Sequence, residues 1–324
     1  MPPSSRLVLP FVNAVDLGIR PENTGKQNSD AIEAALADIP LTDGKPVGQR
    51  WMFGHGTFLF DRTIEITRSM ALFGAVGGLY GSTLFMFPPG VNGIVLNSNT
   101  SAGENKNSAW SALSNLIITA SGKTNEAHGV LLRGYGPVIE QCYVYNFSGD
   151  GFHVRASTQD KPSTIANHWT LRNCRADYNG RHGLFVQGGD SNVGLCSMLD
   201  SFNNGGWGIR DESFLGNTYL ACQTSTNALG GYYAKGANSN NVFINCYSES
   251  DEKASQIDHP SMVISGTFPG GIVGNCVRLG PGFGSPLLFK TPSGFMQAGG
   301  GSGGSASTIY SEYWVPGDPD PIRF

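Results

Sequence analysis

The stretch SGDGFHVRAS, residues 148–157, has three relatives further along the chain: NGRHGLFVQG (179–188), NGGWGIRDES (204–213) and LGGYYAKGAN (229–238). Each places small or polar residues before a glycine and a short alternation of apolar and polar residues after it. With two earlier copies, six glycines open such an alternation: Gly93, Gly129, Gly151, Gly183, Gly208 and Gly231. The repetition predicts one structural unit that is copied along the chain.

The spacing of these glycines indicates how the units are arranged. Successive glycines are 36, 22, 32, 25 and 23 residues apart. A period in the low twenties, with insertions at one point of the unit, is typical of a β-solenoid, whose coils bury their apolar sides only by stacking. Strands of stacked coils lie about 4.8 Å apart, so residues one period apart form columns along the axis. The sequence therefore predicts an all-β fold, a parallel β-helix.

Two inward features recur with the same period. An apolar residue lies nine positions before each of the last four glycines, and another follows 24 residues after the last of these apolar residues: Cys142, Cys174, Leu199, Cys222 and Cys246. They predict a column of free, buried thiols, with disulfide formation as the alternative. Asparagines recur at the corner before each glycine, at Asn146, Asn179, Asn204 and Asn227. They predict either a side-chain ladder or left-handed bends, and the glycines are expected where the backbone bends sharply.

Composition narrows the possible partners. Of the 324 residues only 14% are charged, the net charge is −4, and 45 residues are glycine. No long basic run is present, so neither nucleic acid nor a membrane surface is predicted as a partner. The sequence contains no secretory signal pattern and no apolar window long enough to cross a membrane. These features leave the location in the cell undetermined.

One segment is predicted to be helical. NSDAIEAALADIP, residues 28–40, has Asn28 or Ser29 as N-cap, and Pro40 ends it. Its apolar positions are Ile32, Ala35, Leu36 and Ile39. Such a helix would cover the open end of the solenoid. We divide the chain into an N-terminal segment with this cap helix (1–50), the β-helix (51–280) and a Gly/Ser-rich C-terminal segment (281–324), with loop insertions at 101–112 and 157–168.

Over roughly residues 12–280 the chain resembles the pectate-lyase-like superfamily of right-handed parallel β-helix proteins. Residues 12–36 are similar to the opening segment and cap helix of that family, and residues 55–78 to its first coils. The superfamily contains polysaccharide lyases, glycoside hydrolases, uronate epimerases and phage tailspike depolymerases, so the fold alone does not name a reaction. The resemblance implies a right-handed coil, an acidic polysaccharide as partner, an extracellular or virion-associated location, and a homotrimer if the protein is a tail fibre.

The chain departs from the motifs of the individual families. GRHGLF, residues 180–185, is similar to one motif of polygalacturonase-like hydrolases, but the aspartate pair of those enzymes occurs nowhere in the sequence. GDGFHV, residues 149–154, has the aspartate and histidine of the epimerase motif without its proline or spacing. No outward column supplies the acidic ligands of calcium-dependent pectate lyases. No subfamily is therefore assigned.

Alternation after each glycine predicts two outward columns on one face. The first, the His153 column, is Val95, Leu131, His153, Phe185, Arg210 and Tyr233. The second, the Arg155 column, is Asn97, Arg133, Arg155, Gln187, Glu212 and Lys235. Together they carry four cations, one histidine, two aromatic rings and one acid. This composition favours an anionic polymer, because arginine binds carboxylates and aromatic rings stack on sugars.

We predict that this face cleaves a uronate-containing glycan by β-elimination. The predicted catalytic residues are His153, Arg210, Tyr233 and Glu212, and the predicted substrate-binding residues are Arg133, Arg155, Phe185, Gln187 and Lys235. Arg210 or Arg155 would neutralise the carboxylate, and His153 or Tyr233 would move protons. Hydrolysis needs two carboxyl groups about 5–9.5 Å apart, but Asp211 is predicted to point inward and Glu212 outward. A glycoside hydrolase and a non-catalytic glycan-binding fibre remain the alternatives.

Structural interpretations accompany each of these residues. Outward charged side chains are commonly a solvated face with cross-strand ion pairs, and His153 and His182 can be structural. Asp150 is interpreted as a turn residue, and Trp207 as a packing residue. An inward Asp211 would need a partner, such as the backbone of residues 205–206 or an arginine. No cofactor is predicted. The acidic side chains of residues 249–258 are expected to be solvated, with a calcium site as the alternative.

Overall fold

The computed structural model describes residues 11–235, apart from 40, 43–44, 47, 78–80, 98–107 and 157–164, and residues 241–258, apart from 254. From residue 263 onward it describes short strands only. For residues 41–46, 235, 258 and these later strands, the backbone alone is described. The predicted loop insertions and the C-terminal segment 281–324 therefore fall mostly outside the described residues.

Two sheets, of 18 and 9 strands, contain all the parallel strands and form three faces. Face 1 contains Phe11–Asn13, Gln49–Met52, Met70–Phe73, Ala112–Ser114, Val138–Glu140, Thr170–Arg172, Leu195–Ser197, Thr218–Leu220, the first half of Val242–Glu249, Val263–Thr267 and Val277–Arg278. Face 2 contains Gly56–Leu59, Thr83–Phe87, Leu116–Ala120, Tyr143–Tyr145, Arg175–Asp177, Asp200–Phe202, Gln223–Ser225 and the second half of Val242–Glu249. Face 3 contains Ile64–Ile66, Ile94–Asn97, Val130–Arg133, Phe152–Arg155, Leu184–Gly188, Trp207–Ser213, Gly230–Lys235, Ser255–Asp258 and Ile272–Val273.

The chain visits faces 1, 2 and 3 in order and then begins the next coil. Each strand pairs in parallel with the strand one coil away, as Phe152–Arg155 does with Leu184–Gly188. Parallel strands joined in this way take a right-handed connection. The prediction of a right-handed parallel β-helix is confirmed. The remaining strands form short antiparallel pairs: Leu41–Thr42 with Lys45–Pro46, Leu287–Thr291 with Gly294–Ala298, and Glu312–Tyr313 with Ile322–Arg323.

The core is a stack of inward side chains along the axis. The predicted column of Cys142, Cys174, Leu199, Cys222 and Cys246 is buried, and its thiols are free. Cys196 joins it, with its Sγ 3.8 Å from Cys222 Sγ. Burial raises the pKa of the Cys142 thiol to about 12, because a buried thiolate loses its hydration. The prediction of free thiols is confirmed for the described residues, and Cys276 lies outside them.

The corners are built from left-handed residues that are mostly not glycine. After face 1, positive φ angles of 50–56° occur at Asn115, Gln141, Asn173, Met198, Ala221 and Asn245. After face 2, φ is again positive, between 52° and 64°, at Asn146, Tyr178, Asn203, Thr226 and Ser250. The backbone N–H at such a corner donates to the next coil, as that of Gln141 does to Arg172 O at 3.0 Å. Hydrogen bonds between coils thus compensate the strain of φ > 0.

A buried asparagine ladder follows the second corner. Asn204 Oδ1 accepts the N–H of Asn179 at 3.0 Å, and Asn227 Oδ1 accepts that of Asn204 at 3.1 Å. Asp251 ends the ladder, because its Oδ1 accepts both the N–H and Nδ2 of Asn227 at 2.8 Å. Both predicted roles occur, because Asn146 occupies the left-handed position before the ladder. The Asp251 carboxylate, one of the acids considered for calcium, is occupied by these bonds.

The six repeat glycines serve a purpose other than the predicted sharp bend. None of them has φ > 0. A Cβ at Gly183 would lie 1.8 Å from Ser201 Oγ, and a Cβ at Gly129 would lie 2.0 Å from Val144 Cγ1. Glycine is therefore required because the backbone entering face 3 packs directly against the interior of face 2.

The cap helix begins earlier than predicted. It spans Gly25–Ala37, and its N-cap is Thr24, which forms a capping box with Gln27. The residues predicted as N-caps are buried and tie the helix to the first coil: Asn28 Nδ2 donates to Leu59 O at 3.0 Å, and Ser29 Oγ accepts the N–H of Asp61 at 3.1 Å. In the described part of the chain, no helix is long and apolar enough to cross a membrane.

Candidate functional site

The two predicted outward columns exist on face 3. His153 pairs with Leu131 on one side and Phe185 on the other, and Arg210 lies between Phe185 and Tyr233. Arg155 pairs with Gln187, Gln187 with Glu212, and Lys235 with Asp258. The sequence therefore placed these residues correctly relative to one another, although the side chain of Lys235 is outside the described residues.

The columns are too long for the predicted catalytic set to act together. His153 and Tyr233 are separated by three strand spacings. At about 4.8 Å per spacing, their Cα atoms are about 14 Å apart. One sugar unit cannot reach both residues, so the structure does not bring His153 and Tyr233 to a single bond.

A third column, at the corner that enters face 3, brings more chemistry to His153. It consists of the residues directly before the repeat glycines: Asn92, His128, Asp150, His182 and Trp207. Asp150 and His153 are three residues apart, and both reach the same space with His128. His128 and His182 had no catalytic role in the sequence interpretation, and Asp150 was taken as a turn residue. The glycine alignment contained the signal, because the position before each glycine forms a column as well.

Asp150 is the centre of this cluster and is completely buried. Its Oδ1 accepts the N–H of His182 at 3.0 Å and lies 3.6 Å from Arg181 Nε. Its Oδ2 lies 3.2 Å from His128 Nδ1 and 3.3 Å from His153 Nδ1, yet has no hydrogen-bond partner. Burial alone would raise the pKa of Asp150, but the contact with His128 and the neighbouring histidines outweigh it and lower the pKa.

Backbone donors hold His128 and His182, and burial favours the neutral form of His153 and His182. His128 Nδ1 accepts the N–H of Asp150 at 3.0 Å, and His182 Nδ1 accepts that of Trp207 at 2.8 Å. In neutral His128 and His182 the proton is therefore on Nε2. Burial lowers the pKa of His153 and of His182 to about 4, since a buried imidazolium loses hydration.

Two tautomers of His153 fit the measured distances. With the proton on Nε2, His153 donates to Gln187 Oε1 at 3.3 Å, and its Nδ1 faces His128 Nε2 at 3.4 Å. With the proton on Nδ1, it faces Asp150 Oδ2 and supplies the donor that this oxygen needs. Nε2 of His153 then carries a lone pair beside Gln187. Only the second tautomer provides a general base on the outer side.

Two arginines in this region, Arg210 and Arg181, are paired with acids. Arg210 forms an ion pair with Glu212 at 2.5 Å, and its guanidinium lies 5.0 Å from the Phe185 ring and 5.1 Å from the Tyr233 ring. Arg181 pairs with Glu126. The predicted strip is therefore less cationic than its two columns suggested, because the sequence count omitted Glu126 and Asp150. The charge of Arg155, two residues from His153, contributes to the lowered pKa of that histidine.

Asp211 and Glu212 do not form the pair that hydrolysis needs. Asp211 points inward, as predicted, and is fully buried. Its partners differ from the predicted ones: Oδ2 accepts Tyr219 OH at 2.5 Å and Asn217 Nδ2 at 2.9 Å, and Oδ1 accepts the N–H of Ser213 at 2.7 Å. Asp211 and Glu212 therefore lie on opposite sides of one strand.

A groove of about 610 Å³ adjoins the cluster. Its floor is formed by Val95 and Leu131, and the cap helix forms one wall with Leu36 and Ala37. Leu131 pairs directly with His153, so the floor leads to that histidine. We call this space the cap groove.

One group of described residues offers enough donors for a metal ion: His128, Asp150 and His153. The lone pair of His128 Nδ1 already accepts the N–H of Asp150. This leaves Asp150 Oδ2 and His153 Nδ1 as the converging donors. Two donors are one fewer than the three protein ligands usual in catalytic metal sites.

Comparison with solved structures finds similar proteins over most of the chain. ORF18 of Geobacillus virus E2 is 15% identical, with a TM-score of 0.58, over 89% of this chain and 68% of that one. The A-module of mannuronan C-5 epimerase AlgE6 from Azotobacter vinelandii is 16% identical, with a TM-score of 0.49, over 81% of this chain and 74% of that one. The fold is that of the right-handed parallel β-helix proteins. No family model matches the chain, and no curated protein is significantly similar to it. Identities this low show the fold alone, so the chemistry must be argued from the site.

Proposed function

We propose that this protein acts on polysaccharide, and that it cleaves a uronate-containing glycan by β-elimination at His153. The observation that carries the proposal is the pairing of a neutral, outward histidine with a buried carboxylate, at 3.3 Å between His153 Nδ1 and Asp150 Oδ2. A carboxylate in this position orients the imidazole and stabilises the charge that it acquires when its other nitrogen takes a proton.

Elimination requires a base, an acid and a cation, and we assign the first two roles to His153 and the third to Arg155. His153 Nε2 takes the proton at C5 of the uronate. Arg155, the cation on the same strand, holds the uronate carboxylate, onto which negative charge develops. The C4–O bond then breaks, a C4–C5 double bond forms, and the departing oxygen takes the proton that His153 removed from C5. No water is consumed.

The same geometry argues against hydrolysis. A glycosidase needs two carboxyl groups that reach the substrate. Asp150 is buried behind imidazole rings, Asp211 points into the core, and Glu212 is paired with Arg210. These positions favour elimination over hydrolysis as the reaction of this face.

The test is an assay for unsaturated product on a panel of uronate polymers. We expect ultraviolet absorbance to rise with at least one polymer, and His153→Gln and Asp150→Asn each to lower the rate by at least about 100-fold. Gln223→Leu removes a polar side chain on face 2, away from His153, and should retain the wild-type rate. Circular dichroism of each variant would verify folding.

Each other outcome assigns a different function. Reducing ends without absorbance would mean hydrolysis. Binding without either signal would leave a glycan-binding module, for which the resemblance to tail fibres predicts a homotrimer. A folded His153→Gln variant with full activity would overturn the role of His153.

A further inference from the structure

The cap groove differs in character from the cluster beside it. Its floor is apolar, because Val95 and Leu131 present their side chains there and are each 8% exposed. Its rim carries two acids and two arginines, namely Glu33, Glu65, Arg68 and Arg133. The formal charge of this rim is zero, whereas His153 stands next to Arg155.

One acid of the rim is held in place. Asn97 Nδ2 donates to Glu65 Oε1 at 2.7 Å, and Asn97 is itself nearly buried. A carboxylate held in this way is a ready acceptor for hydroxyl groups. It also disfavours a second carboxylate in the same place, because like charges in a partly enclosed space repel.

From these contacts we infer that the cap groove binds neutral sugar units next to the uronate, so that the substrate is a heteropolymer. The inference rests on the proposed function and narrows its substrate class. Apolar CH faces of pyranose rings would lie on Val95 and Leu131, and sugar hydroxyls would donate to Glu65. The floor covers two strand spacings between Glu65 and Leu131, about 10 Å. This length has room for two sugar rings before the polysaccharide reaches His153.

The cap helix offers a matched pair of variants for the test. Ala37 is exposed and lines the groove, so Ala37→Trp would fill it without entering the core. Ala34 is exposed on the same helix but does not line the groove, so Ala34→Trp is the control. Thermal unfolding of both variants would show whether the tryptophan has changed the fold.

Binding would be measured by calorimetry with gellan and hyaluronan, in which neutral sugars flank each glucuronate, and with polygalacturonate, which contains uronate alone. We expect at least one heteropolymer to bind about 10-fold tighter than polygalacturonate. Ala37→Trp should weaken that binding about 10-fold or more, and Ala34→Trp should change it less than about 2-fold.

The outcomes separate this inference from the proposed reaction. Equal binding of all polymers, no binding of either heteropolymer, or full affinity of a folded Ala37→Trp variant would overturn the inference. If Ala37→Trp loses heteropolymer binding but the wild type forms no unsaturated product, the groove assignment stands and the proposed reaction fails. If a heteropolymer is cleaved with the same kcat/KM by the wild type and by Ala37→Trp, the reaction stands and the groove assignment fails.

Discussion

Nδ1 of His153 lies 3.3 Å from Oδ2 of Asp150, and the two residues are three positions apart in the chain. Both side chains reach the same space at the corner that enters face 3. The carboxylate is fully buried and the imidazole nearly so. The pair is therefore shielded from water, which strengthens the interaction between its members.

Burial of the histidines predicts a loss of stability on mild acidification. The pKa of His153 and of His182 is about 4 in the folded protein, against about 6.5 in an unfolded chain. Between pH 6.5 and 4 the unfolded chain binds protons that the folded protein does not. The free energy of unfolding therefore decreases as the pH is lowered. The loss is at most on the order of 3 kcal/mol per histidine. Urea unfolding at pH 7.5 and pH 5 checks this, and equal free energies would contradict it.

Arg155 and Tyr233 should differ in their effect on elimination. Arg155→Gln removes the cation nearest to His153 and should lower kcat/KM by about 10- to 100-fold. Tyr233→Phe should change kcat/KM less than about 2-fold, because Tyr233 is about 14 Å along the column from His153. Initial rates on a responsive polymer check both. A large loss in Tyr233→Phe would mean that the reacting bond lies further along face 3.

The asparagine ladder should contribute strongly to stability. Asn204 Oδ1 accepts two hydrogen bonds from Asn179, and its Nδ2 donates to Ala176 O, Ser201 Oγ and Asn227 Oδ1. Asn204→Ala leaves buried donors and acceptors unpaired and should cost about 2–4 kcal/mol. The adjacent Asn203 has φ +53°, so Asn203→Gly should cost less than about 1 kcal/mol. Chemical denaturation of both variants measures the difference, and equal losses would show that the ladder contributes little.

Gly183 should not tolerate even a methyl group. The Cβ of Gly183→Ala would lie 1.8 Å from Ser201 Oγ and 2.7 Å from Gly208 O. The backbone must move, at a cost of about 2–4 kcal/mol. At Gly54 a Cβ would point into open space, with no other atom within 4 Å, so Gly54→Ala should be within about 1 kcal/mol of wild type. Melting temperatures would reveal the contrast, which disappears if the corner can relax.

The thiol column should be inert until the protein unfolds. The five described cysteines are free thiols and are buried, and their raised pKa values keep them protonated at neutral pH. In a Cys276→Ser background, we expect no reaction with a thiol reagent in buffer and full reaction in denaturant. Labelling of the folded protein would show that the column opens.

Much of the fold followed from the period of the sequence, and the site followed only in part. The spacing of glycines placed His153, Phe185, Arg210 and Tyr233 in one column, as the structure has them. The cap helix was also predicted, but not its N-cap at Thr24. The N-cap was missed because Asn28 and Ser29, which are buried against the first coil, are residues typical of that position too.

The pairing of Glu126 with Arg181 was beyond the sequence. Glu126 and Arg181 are far apart in the chain and meet only because one coil stacks on another. The same stacking brings His128 of the preceding coil against Asp150. A count of charges on predicted columns could not include partners contributed by corners.

By itself the sequence determined the class of fold and the register of the coils, because a repeat of small and apolar residues can bury its inner side only by stacking at a constant spacing. Only the tertiary structure decided which polar groups share one buried space. The reason is that the ionisation of Asp150 and His153, and hence the chemistry open to them, depends on neighbours from other coils and on the exclusion of water.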